Sequence, residues 1–259
     1  MQAIPLFLEK KKEATSIGTT GRGLDPKKIP QHVAVIMDGN RRWASQKNLP
    51  SSMGHWQGAE VLEEIVEIAS QIGIKTLTVY AFSTENKSRN QDEIEALMDI
   101  FEFYLHHKRE TLVRENTKLD AIGDLDTLPD RVKEALSVTQ KATQYCNKIN
   151  LILALNYGGR DEIRRAMVKI LKMNQLKKLS LSDLTEDLIA SQLDTAKYGD
   201  PDLLIRTSGE IRVSNFLLWQ ISYAEIYTTD VLWPDFSSEH FLEAIASYQN
   251  RERRKGGSL

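Results

Sequence analysis

Residues 35–43 read Val35-Ile-Met-Asp-Gly-Asn-Arg-Arg-Trp43, a stretch that indicates a strand followed by a binding loop. The apolar run over residues 33–37 ends abruptly in a carboxylate, a glycine, an amide and two arginines. Such a run is typical of a buried strand, and the polar cluster follows its carboxyl end. In open α/β sheets, ligands bind in the crevice outside the carboxyl ends of the strands. The stretch therefore predicts a strand that delivers polar groups to a ligand site.

The polar cluster has the composition of a phosphate site that also holds a cation. Gly39 lets the backbone approach an anion closely, and Asn40, Arg41 and Arg42 can donate hydrogen bonds to it. Asp38 would repel a phosphate unless a cation bridges the two, and Mg²⁺ is commonly held by one carboxylate together with substrate phosphates. The cluster thus favours a Mg²⁺–diphosphate site, and a plain polar turn between strand and helix is the alternative.

Six apolar segments along the chain have the length of buried strands. They lie at residues 33–37, 76–82, 118–122, 149–155, 203–205 and about 224–227. Helical periodicity is found at residues 59–72, 92–116, 129–145, 161–173 and 239–253. Alternating strands and helices predict an α/β fold with one domain, built on a mostly parallel six-stranded sheet with helices on both faces. We predict a flexible N-terminal arm over residues 1–29 and a folded domain over residues 30–259.

The composition of the chain excludes several classes of function. The 259 residues carry a formal net charge of −2, which gives no overall basic field for a nucleic-acid partner. The single cysteine, Cys146, excludes an intramolecular disulfide and a cysteine-rich zinc site, which fits a cytoplasmic location. No apolar run reaches the roughly 18 residues of a membrane span. The glycine motifs of P-loop and dinucleotide-binding proteins are absent from the sequence.

Polar segments follow three further predicted strands, at residues 83–89, 156–160 and 206–214. Because parallel strands bring their carboxyl ends to one edge of the sheet, we expect these segments to join the first cluster there. The arginines of this edge are Arg41, Arg42, Arg89, Arg206 and Arg212. One arginine after a strand is usually solvent exposed, but repetition at successive strand ends favours a positive pocket for two phosphorylated ligands.

These motifs resemble those of the cis-prenyltransferases, most closely the bacterial undecaprenyl diphosphate synthases. The matching segments are residues 32–44, Gly54-His55, residues 77–86, 156–160 and 202–220, Tyr223-Ala-Glu225, Leu232-Trp-Pro-Asp235 and residues 251–254. The resemblance implies a homodimer that lengthens farnesyl diphosphate with isopentenyl diphosphate, using Mg²⁺, to a long-chain polyprenyl diphosphate. It implies undecaprenyl diphosphate as the product, for the lipid carrier of the cell wall. It also implies a hydrophobic tunnel for the growing chain and a peripheral membrane contact for product release.

The resemblance assigns roles to the residues at the strand ends. Asp38 is the Mg²⁺-associated carboxylate that assists departure of the allylic diphosphate, and Glu225 is a second Mg²⁺ contact near the dimer interface. Asn86 takes part in removing a proton from isopentenyl diphosphate, although an amide is a poor base and a water or the released diphosphate is the alternative acceptor. The allylic diphosphate cradle consists of Gly39, Asn40, Arg41, Arg42 and His55, with Trp43 beside it. The second loop contributes Ser83, Thr84, Glu85 and Arg89. The isopentenyl diphosphate clamp consists of Arg206, Arg212, Val213 and Ser214.

Three positions depart from the family pattern. Arg41 stands where the family usually has glycine, and Ser51 stands where it commonly has an arginine, four residues before the motif histidine. Lys87 replaces the usual tryptophan after Glu85-Asn86, which adds a cation and removes an aromatic wall. The sequence does not determine how these departures change substrate binding.

Two other classes of function remain open. A non-catalytic subunit of a heteromeric synthase lacks the first-loop aspartate and arginines, which are present here. A phosphohydrolase would use Asp38 as a nucleophile and need no second substrate. The apolar helix faces at residues 59–72 and 92–116 fit either a tunnel or a plain core. Arg254-Lys255-Gly256 fits either a solvated tail or the family's Arg-x-Gly element, which completes a site. The length of the product stays open because tunnel depth depends on packing.

Overall fold

The computed structural model describes residues 23–88, 90–177 and 179–251. The strands are β1 (His32–Ile36), β2 (Thr76–Ser83), β3 (Thr117–Ile122), β4 (Ile149–Tyr157), β5 (Leu203–Arg206) and β6 (Glu225–Thr228). They form one sheet in the order β3-β4-β2-β1-β5-β6, and every neighbouring pair is parallel. The predicted fold class is therefore confirmed, and the strand bounds differ from the prediction by no more than about two residues.

Eight α-helices are present in the described ranges. They are α1 (Asn40–Gln46), α2 (Ser51–Ile72), α3 (Gln91–His107), α4 (Arg109–Arg114), α5 (Asp130–Thr143), α6 (Gly159–Lys177), α7 (Glu186–Gln192) and α8 (Ser238–Gln249). The single helix predicted over residues 92–116 is two helices, because the helix is interrupted at Lys108, between α3 and α4. The short helix α7 was not predicted, since seven residues are too few to show an apolar period.

The side chains of β1 alternate between two cores on opposite faces of the sheet. Val33 and Val35 join the larger core, to which α2, α3, α5 and α8 contribute. Ala34 and Ile36 join a smaller core with Phe216, which lies after β5. All five residues of β1 are buried, as expected for a parallel strand that is covered on both faces.

The packed part of the chain starts before the predicted domain boundary. Leu24 and Ile29 are buried in the larger core. The N–H of Asp25 donates to the side chain of Gln249 at 3.0 Å, which ties this segment to the end of α8. Two apolar side chains of the predicted arm therefore pack into the core of the domain. Residues 1–22 lie outside the described ranges.

The order of the strands reverses beside β1. The chain passes from β1 to β2 on one side, and β5 later pairs with the other side of β1. Ile36 is in register with Arg206, so the loops after β1 and β5 leave the sheet side by side. A reversal of this kind opens a crevice at the carboxyl ends of the strands, which is where ligands bind in such sheets.

His32 is a buried histidine whose protonation opposes folding. Its Nε2 lies 2.8 Å from Thr78 Oγ1, and its Nδ1 lies 3.0 Å from the carbonyl oxygen of Gly199. Burial lowers the pKa of His32 to about 4, although the Gly199 carbonyl and Asp202 oppose the shift. The unfolded chain binds the proton with a pKa near 6.5. The stability that His32 contributes is therefore complete above about pH 6.5 and is lost as the pH falls towards about 4.

We expect protonation of His32 to lower the free energy of unfolding by about 3 kcal/mol between neutral pH and about pH 4. The measurement is urea unfolding of the wild type and of His32→Gln across that range. The variant lacks the titrating ring, so its free energy of unfolding falls less with acid than that of the wild type. Parallel pH dependences in the two proteins would show that His32 does not carry the effect.

Candidate active site

The carboxylate of Asp38 lies just after β1 and is fixed by its neighbours. Its Oδ1 accepts a hydrogen bond from the N–H of Gly39 at 2.8 Å, and its Oδ2 accepts one from Arg206 Nη2 at 2.9 Å. The N–H of Asp38 donates to Thr207 Oγ1 at 2.9 Å. About 32% of the Asp38 side chain is exposed, so the carboxylate is held in place and still accessible to a ligand.

Two glycines set the geometry of the loop after Asp38. Gly39 precedes α1 in the left-handed region, with φ 107°, and a Cβ there would lie 3.0 Å from the side chain of Leu232. A Cβ at Gly54 of α2 would lie 2.1 Å from the carbonyl oxygen of Asn40. The first turns of α1 and α2 therefore pack in direct contact, which brings His55 beside the loop.

Arg206 is a nearly buried cation that joins Asp38 to the loop after β5. Only 4% of its side chain is exposed. Besides Asp38, its guanidinium donates to Ser214 Oγ at 2.8 Å and to the main-chain carbonyl of Arg212. Arg206 thus orients the segment that carries Arg212, Val213 and Ser214, in addition to offering charge to the site.

Arg42 reaches the same carboxylate from the opposite side. Its Nη2 lies 3.7 Å from Asp38 Oδ1 and 3.6 Å from Glu210 Oε1, and its Nη1 donates to the carbonyl of Ser208 at 3.0 Å. Glu210 is also paired with Arg212. We expected the arginines of different strand ends to form separate phosphate sites. The structure links them through two carboxylates, Asp38 and Glu210.

The loop after β5 holds four non-glycine residues in the left-handed region. They are Ser208, Ser214, Asn215 and Leu217, with φ between 45° and 74°. This conformation is disfavoured for residues with a side chain and recurs at functional sites, where surrounding contacts enforce it. Phe216 and Leu217 supply such contacts, since both are fully buried in the smaller core. None of these four positions carries a glycine, so the sequence does not indicate their backbone conformation.

The loop after β2 joins the loop after β5. Asn215 Nδ2 donates to Glu85 Oε1 at 2.8 Å, and Thr84 Oγ1 donates to Glu85 Oε2 at 3.0 Å. Burial alone would raise the pKa of Glu85, but these hydrogen bonds lower it, so the carboxylate is ionised. The Oδ1 of Asn86 accepts the N–H of Ser83 at 3.0 Å. The amide NH₂ of Asn86 therefore remains for contact with a ligand. This group is a hydrogen-bond donor and does not act as a base.

The turn after β4 completes the cluster. A Cβ at Gly158 would lie 2.6 Å from Thr84 Oγ1 and 2.8 Å from Asn215 Nδ2, so any other residue there would displace these side chains. The N–H of Gly159 donates to the carbonyl of Asn215 at 2.7 Å. The loops after β1, β2, β4 and β5 therefore meet at one edge, as the parallel sheet predicted.

Glu93 is a neighbour of the first loop that the sequence did not indicate. It lies in the first turn of α3, where an acid is ordinarily explained by the helix dipole. Its Oε1 lies 3.6 Å from His55 Nε2 and 3.8 Å from Arg41 Nε. The site therefore contains a carboxylate between two groups that we assigned to the diphosphate cradle. Of the positions that depart from the family pattern, Ser51 is the half-buried first residue of α2 and Lys87 is exposed.

Some predicted site residues are not brought to this edge. Glu225 begins β6 in register with Leu203, at the opposite edge of the sheet from Asp38, and its Oε2 lies 2.8 Å from Arg251 Nη1. A contact between Glu225 and a metal at Asp38 therefore requires a second copy of the chain. Arg89 and the element Arg254-Lys255-Gly256 lie outside the described residues.

A cavity of about 1950 Å³ extends from the site into the domain. It opens at residues 38–43, passes between α2 and α3, and reaches β3 and β4. Its apolar lining includes Val66, Leu97, Ile100, Phe101, Leu112 and Leu153. Leu97 and Val66 belong to the core as well. The predicted alternatives of tunnel and core therefore both hold, because one set of side chains forms the core and the cavity wall.

The donor set at Asp38 fits a cation that arrives with a phosphate ligand. In the part of the chain that the structure describes, no three His, Cys, Asp or Glu side chains form a metal cluster. Asp38 offers one fixed carboxylate, and the groups around it are cationic or neutral donors. Mg²⁺ bound by a single carboxylate and by substrate phosphates needs no further protein ligand of this kind.

Comparison with known proteins agrees with the family resemblance. A family model described as "Putative undecaprenyl diphosphate synthase" matches residues 36–256. The isoprenyl transferase of Geobacillus kaustophilus is 49% identical over 229 residues, which are 88% of this chain and 89% of the relative. The isoprenyl transferase of Chlamydia abortus is 47% identical over 237 residues, which are 90% of this chain and 95% of the relative.

Two solved structures are similar over most of the chain. Lavandulyl diphosphate synthase from Lavandula x intermedia, in complex with dimethylallyl diphosphate, aligns with a TM-score of 0.87 and 38% identity over 89% of this chain and 100% of that chain. A probable undecaprenyl diphosphate synthase from Campylobacter jejuni aligns with a TM-score of 0.74 and 36% identity over 88% of this chain and 99% of that chain.

Proposed function

Because the chain belongs to the undecaprenyl diphosphate synthase family and is a prenyltransferase, we propose that it condenses isopentenyl diphosphate with farnesyl diphosphate in a Mg²⁺-dependent reaction. One observation carries the proposal. The carboxylate of Asp38 lies between Arg42 and Arg206 at the mouth of a cavity of about 1950 Å³ with an apolar lining. The charged groups at the mouth match the diphosphate head of a prenyl diphosphate, and the apolar side chains of the wall match its prenyl tail.

The allylic diphosphate binds at the loop after β1. Arg42 and the neighbouring groups Gly39, Asn40, Arg41 and His55 surround its head, with Trp43 at the entrance. All of these residues line the mouth of the cavity, which supports the assignment. The similar lavandulyl diphosphate synthase holds dimethylallyl diphosphate, which is also an allylic diphosphate.

Isopentenyl diphosphate binds at the loop after β5. Arg212, Val213 and Ser214 contact its diphosphate, and Arg206 holds this loop against Asp38. Asn86 donates a hydrogen bond from its amide, and the departing diphosphate or a water accepts the proton, because the Asn86 carbonyl is engaged by Ser83.

Asp38 would hold Mg²⁺ together with oxygens of the bound diphosphates. When bound, the cation would stabilise the negative charge that develops on the leaving diphosphate. Arg42 and Arg206 contribute to the same stabilisation as fixed positive charges, which need no reorganisation during the reaction.

The cavity takes the growing prenyl chain. Ordinary ligand pockets enclose roughly 300–1,000 Å³, so a cavity about twice the upper end of that range suits a long-chain product such as undecaprenyl diphosphate. A product of this kind is transferred to a bilayer, which calls for a peripheral membrane contact. No helix within the described ranges is long and apolar enough to cross a membrane.

A homodimer would cover exposed apolar side chains near β6. Ile211, Tyr223 and Ile226 are exposed by 83%, 74% and 43%, and the last lies on an edge strand of the sheet. Contiguous apolar patches on a protein surface commonly mark sites of protein–protein contact. A second copy would also give Glu225 access to a site to which its own chain does not bring it.

The proposal is tested by product analysis. The purified chain is incubated with farnesyl diphosphate, labelled isopentenyl diphosphate and Mg²⁺, with each omitted in turn. We expect label in prenyl products longer than farnesyl only in the complete mixture. A non-catalytic subunit would incorporate no label, and a phosphohydrolase would consume farnesyl diphosphate without isopentenyl diphosphate. Either result would contradict the proposal.

A further inference from the structure

An ion pair between α2 and the α3–α4 joint lies in the wall of the cavity. Lys108 Nζ is 3.0 Å from each carboxylate oxygen of Glu63. Both side chains line the cavity, and both are partly buried, with 33% of Lys108 and 40% of Glu63 exposed. The ammonium group also lies 5.8 Å from the centre of the Tyr104 ring. Neither charged residue touches the diphosphate end of the site.

The pair connects the two sides of the cavity at a break in the helical wall. Glu63 lies on α2, eight residues or about 12 Å along the helix from His55 at the mouth. Lys108 is the single residue between α3 and α4, with φ −98° and ψ 0°. Beyond this joint, Thr111 and Leu112 of α4 continue the lining. The position of the joint relative to α2 thus sets the width of the cavity at about the middle of α2.

A partly exposed ion pair such as this one contributes little to the free energy of folding. Taking an ion pair out of water costs free energy, and apolar side chains of similar size often serve a core equally well. Burial raises the pKa of Glu63, and the hydrogen bond and the charge of Lys108 oppose that shift. A prenyl chain that pressed against the pair would have to separate it or strip it of its remaining water.

We propose that the Glu63–Lys108 pair is a specificity-determining latch, which holds the α3–α4 joint against α2 and thereby limits the length of the prenyl product. The inference rests on the proposed chain elongation and adds the element that ends it. Opening the latch lets the joint move away from α2, so a longer chain fits before release.

The test compares product lengths from farnesyl diphosphate, labelled isopentenyl diphosphate and Mg²⁺ for a set of charge reversals. Lys108→Glu and Glu63→Lys each place like charges together and are expected to shift the main product by one or more isoprene units to greater length. The double variant Glu63→Lys/Lys108→Glu restores the attraction and is expected to return the wild-type length. Glu110→Lys, on the exposed surface of α4, is the matched control and keeps the wild-type product.

Two results would overturn the latch. Wild-type product lengths in both single reversals would show that the pair does not limit the chain, and a double variant that stays shifted would show that the residues act separately. If a single reversal does not fold, Glu63→Gln and Lys108→Met replace it and are expected to give a smaller shift in the same direction. Unchanged lengths in both neutral variants would equally overturn the latch. Absence of any product from the wild type would instead contradict the proposed function.

Discussion

Asp38→Ala is expected to lower turnover about a thousandfold or more, because it removes the carboxylate that lies between Arg42 and Arg206 at the mouth of the cavity. In the proposed reaction, its loss would remove the protein's contact with Mg²⁺ and with it several kcal/mol of stabilisation of the leaving diphosphate. The alanine variant also leaves Arg206 nearly buried without its partner carboxylate. That second effect acts on stability and must be separated from the effect on chemistry.

Asp38→Asn separates the two effects. The amide oxygen can still accept a hydrogen bond from Arg206, so we expect this variant to unfold at a higher temperature than Asp38→Ala. It has lost the charge that holds Mg²⁺, so its turnover falls nearly as far as that of the alanine variant. The measurements are steady-state rates at saturating Mg²⁺ and thermal unfolding of the three proteins. Retention of a tenth of the wild-type turnover by Asp38→Asn would contradict the role of the carboxylate.

The arginines around Asp38 are expected to divide between the two substrates. Arg212→Ala raises the KM for isopentenyl diphosphate roughly tenfold or more, and Arg42→Ala does the same for farnesyl diphosphate, since a hydrogen bond to a charged group contributes about 1.5–3 kcal/mol. Arg206→Ala differs from both. It contacts Asp38 and the loop that carries Arg212, so we expect effects on both substrates and on turnover.

Steady-state kinetics with each substrate varied in turn decide between these outcomes. Arg164→Ala is the matched control, because this arginine is 65% exposed on α6 and pairs with Asp161 away from the cavity. We expect wild-type constants for it. Equal effects of Arg42→Ala and Arg212→Ala on both substrates would mean one shared phosphate site, and the two-site interpretation would then be wrong.

The sheet was predictable because its signals are local. The continuous apolar run of β1 indicates a strand buried on both faces, and the polar residues that follow each strand indicate the binding edge. Parallel pairing of the strands then brings the polar segments at their carboxyl ends together. This is why the loop after β1 and the segment 206–214 were expected to meet, and the register of Ile36 with Arg206 places them side by side.

Features that depend on tertiary packing were not predictable in this way. The left-handed backbone at Ser214 and Leu217 carries no glycine, and it is enforced by burial of the segment in the smaller core. Glu93 is distant in sequence from His55 and joins it only because α3 crosses α2. The break at Lys108 carries neither proline nor glycine, so the helical period continues across it.

The pairing of charges in the site also depends on tertiary packing and was not predictable from the sequence. The sequence shows which strand ends carry arginines. It does not show that the guanidinium of Arg206 donates hydrogen bonds to Asp38, Ser214 and the backbone of Arg212. Nor does it show that Glu225 begins its strand at the far edge, since the residue number alone gives no register. The first fact changes the expected kinetics, because Arg206 contacts both Asp38 and the loop that carries Arg212. The second separates Glu225 from Asp38 within its own chain.

Simultaneous counting of released diphosphate and incorporated isopentenyl label tests the central claim most directly. If an allylic diphosphate bound at Asp38 is attacked by isopentenyl diphosphate from the loop after β5, each labelled unit incorporated releases one diphosphate, and nothing is released when either substrate is omitted. Release of phosphate or diphosphate from farnesyl diphosphate alone, at a rate that added isopentenyl diphosphate does not change, would contradict it.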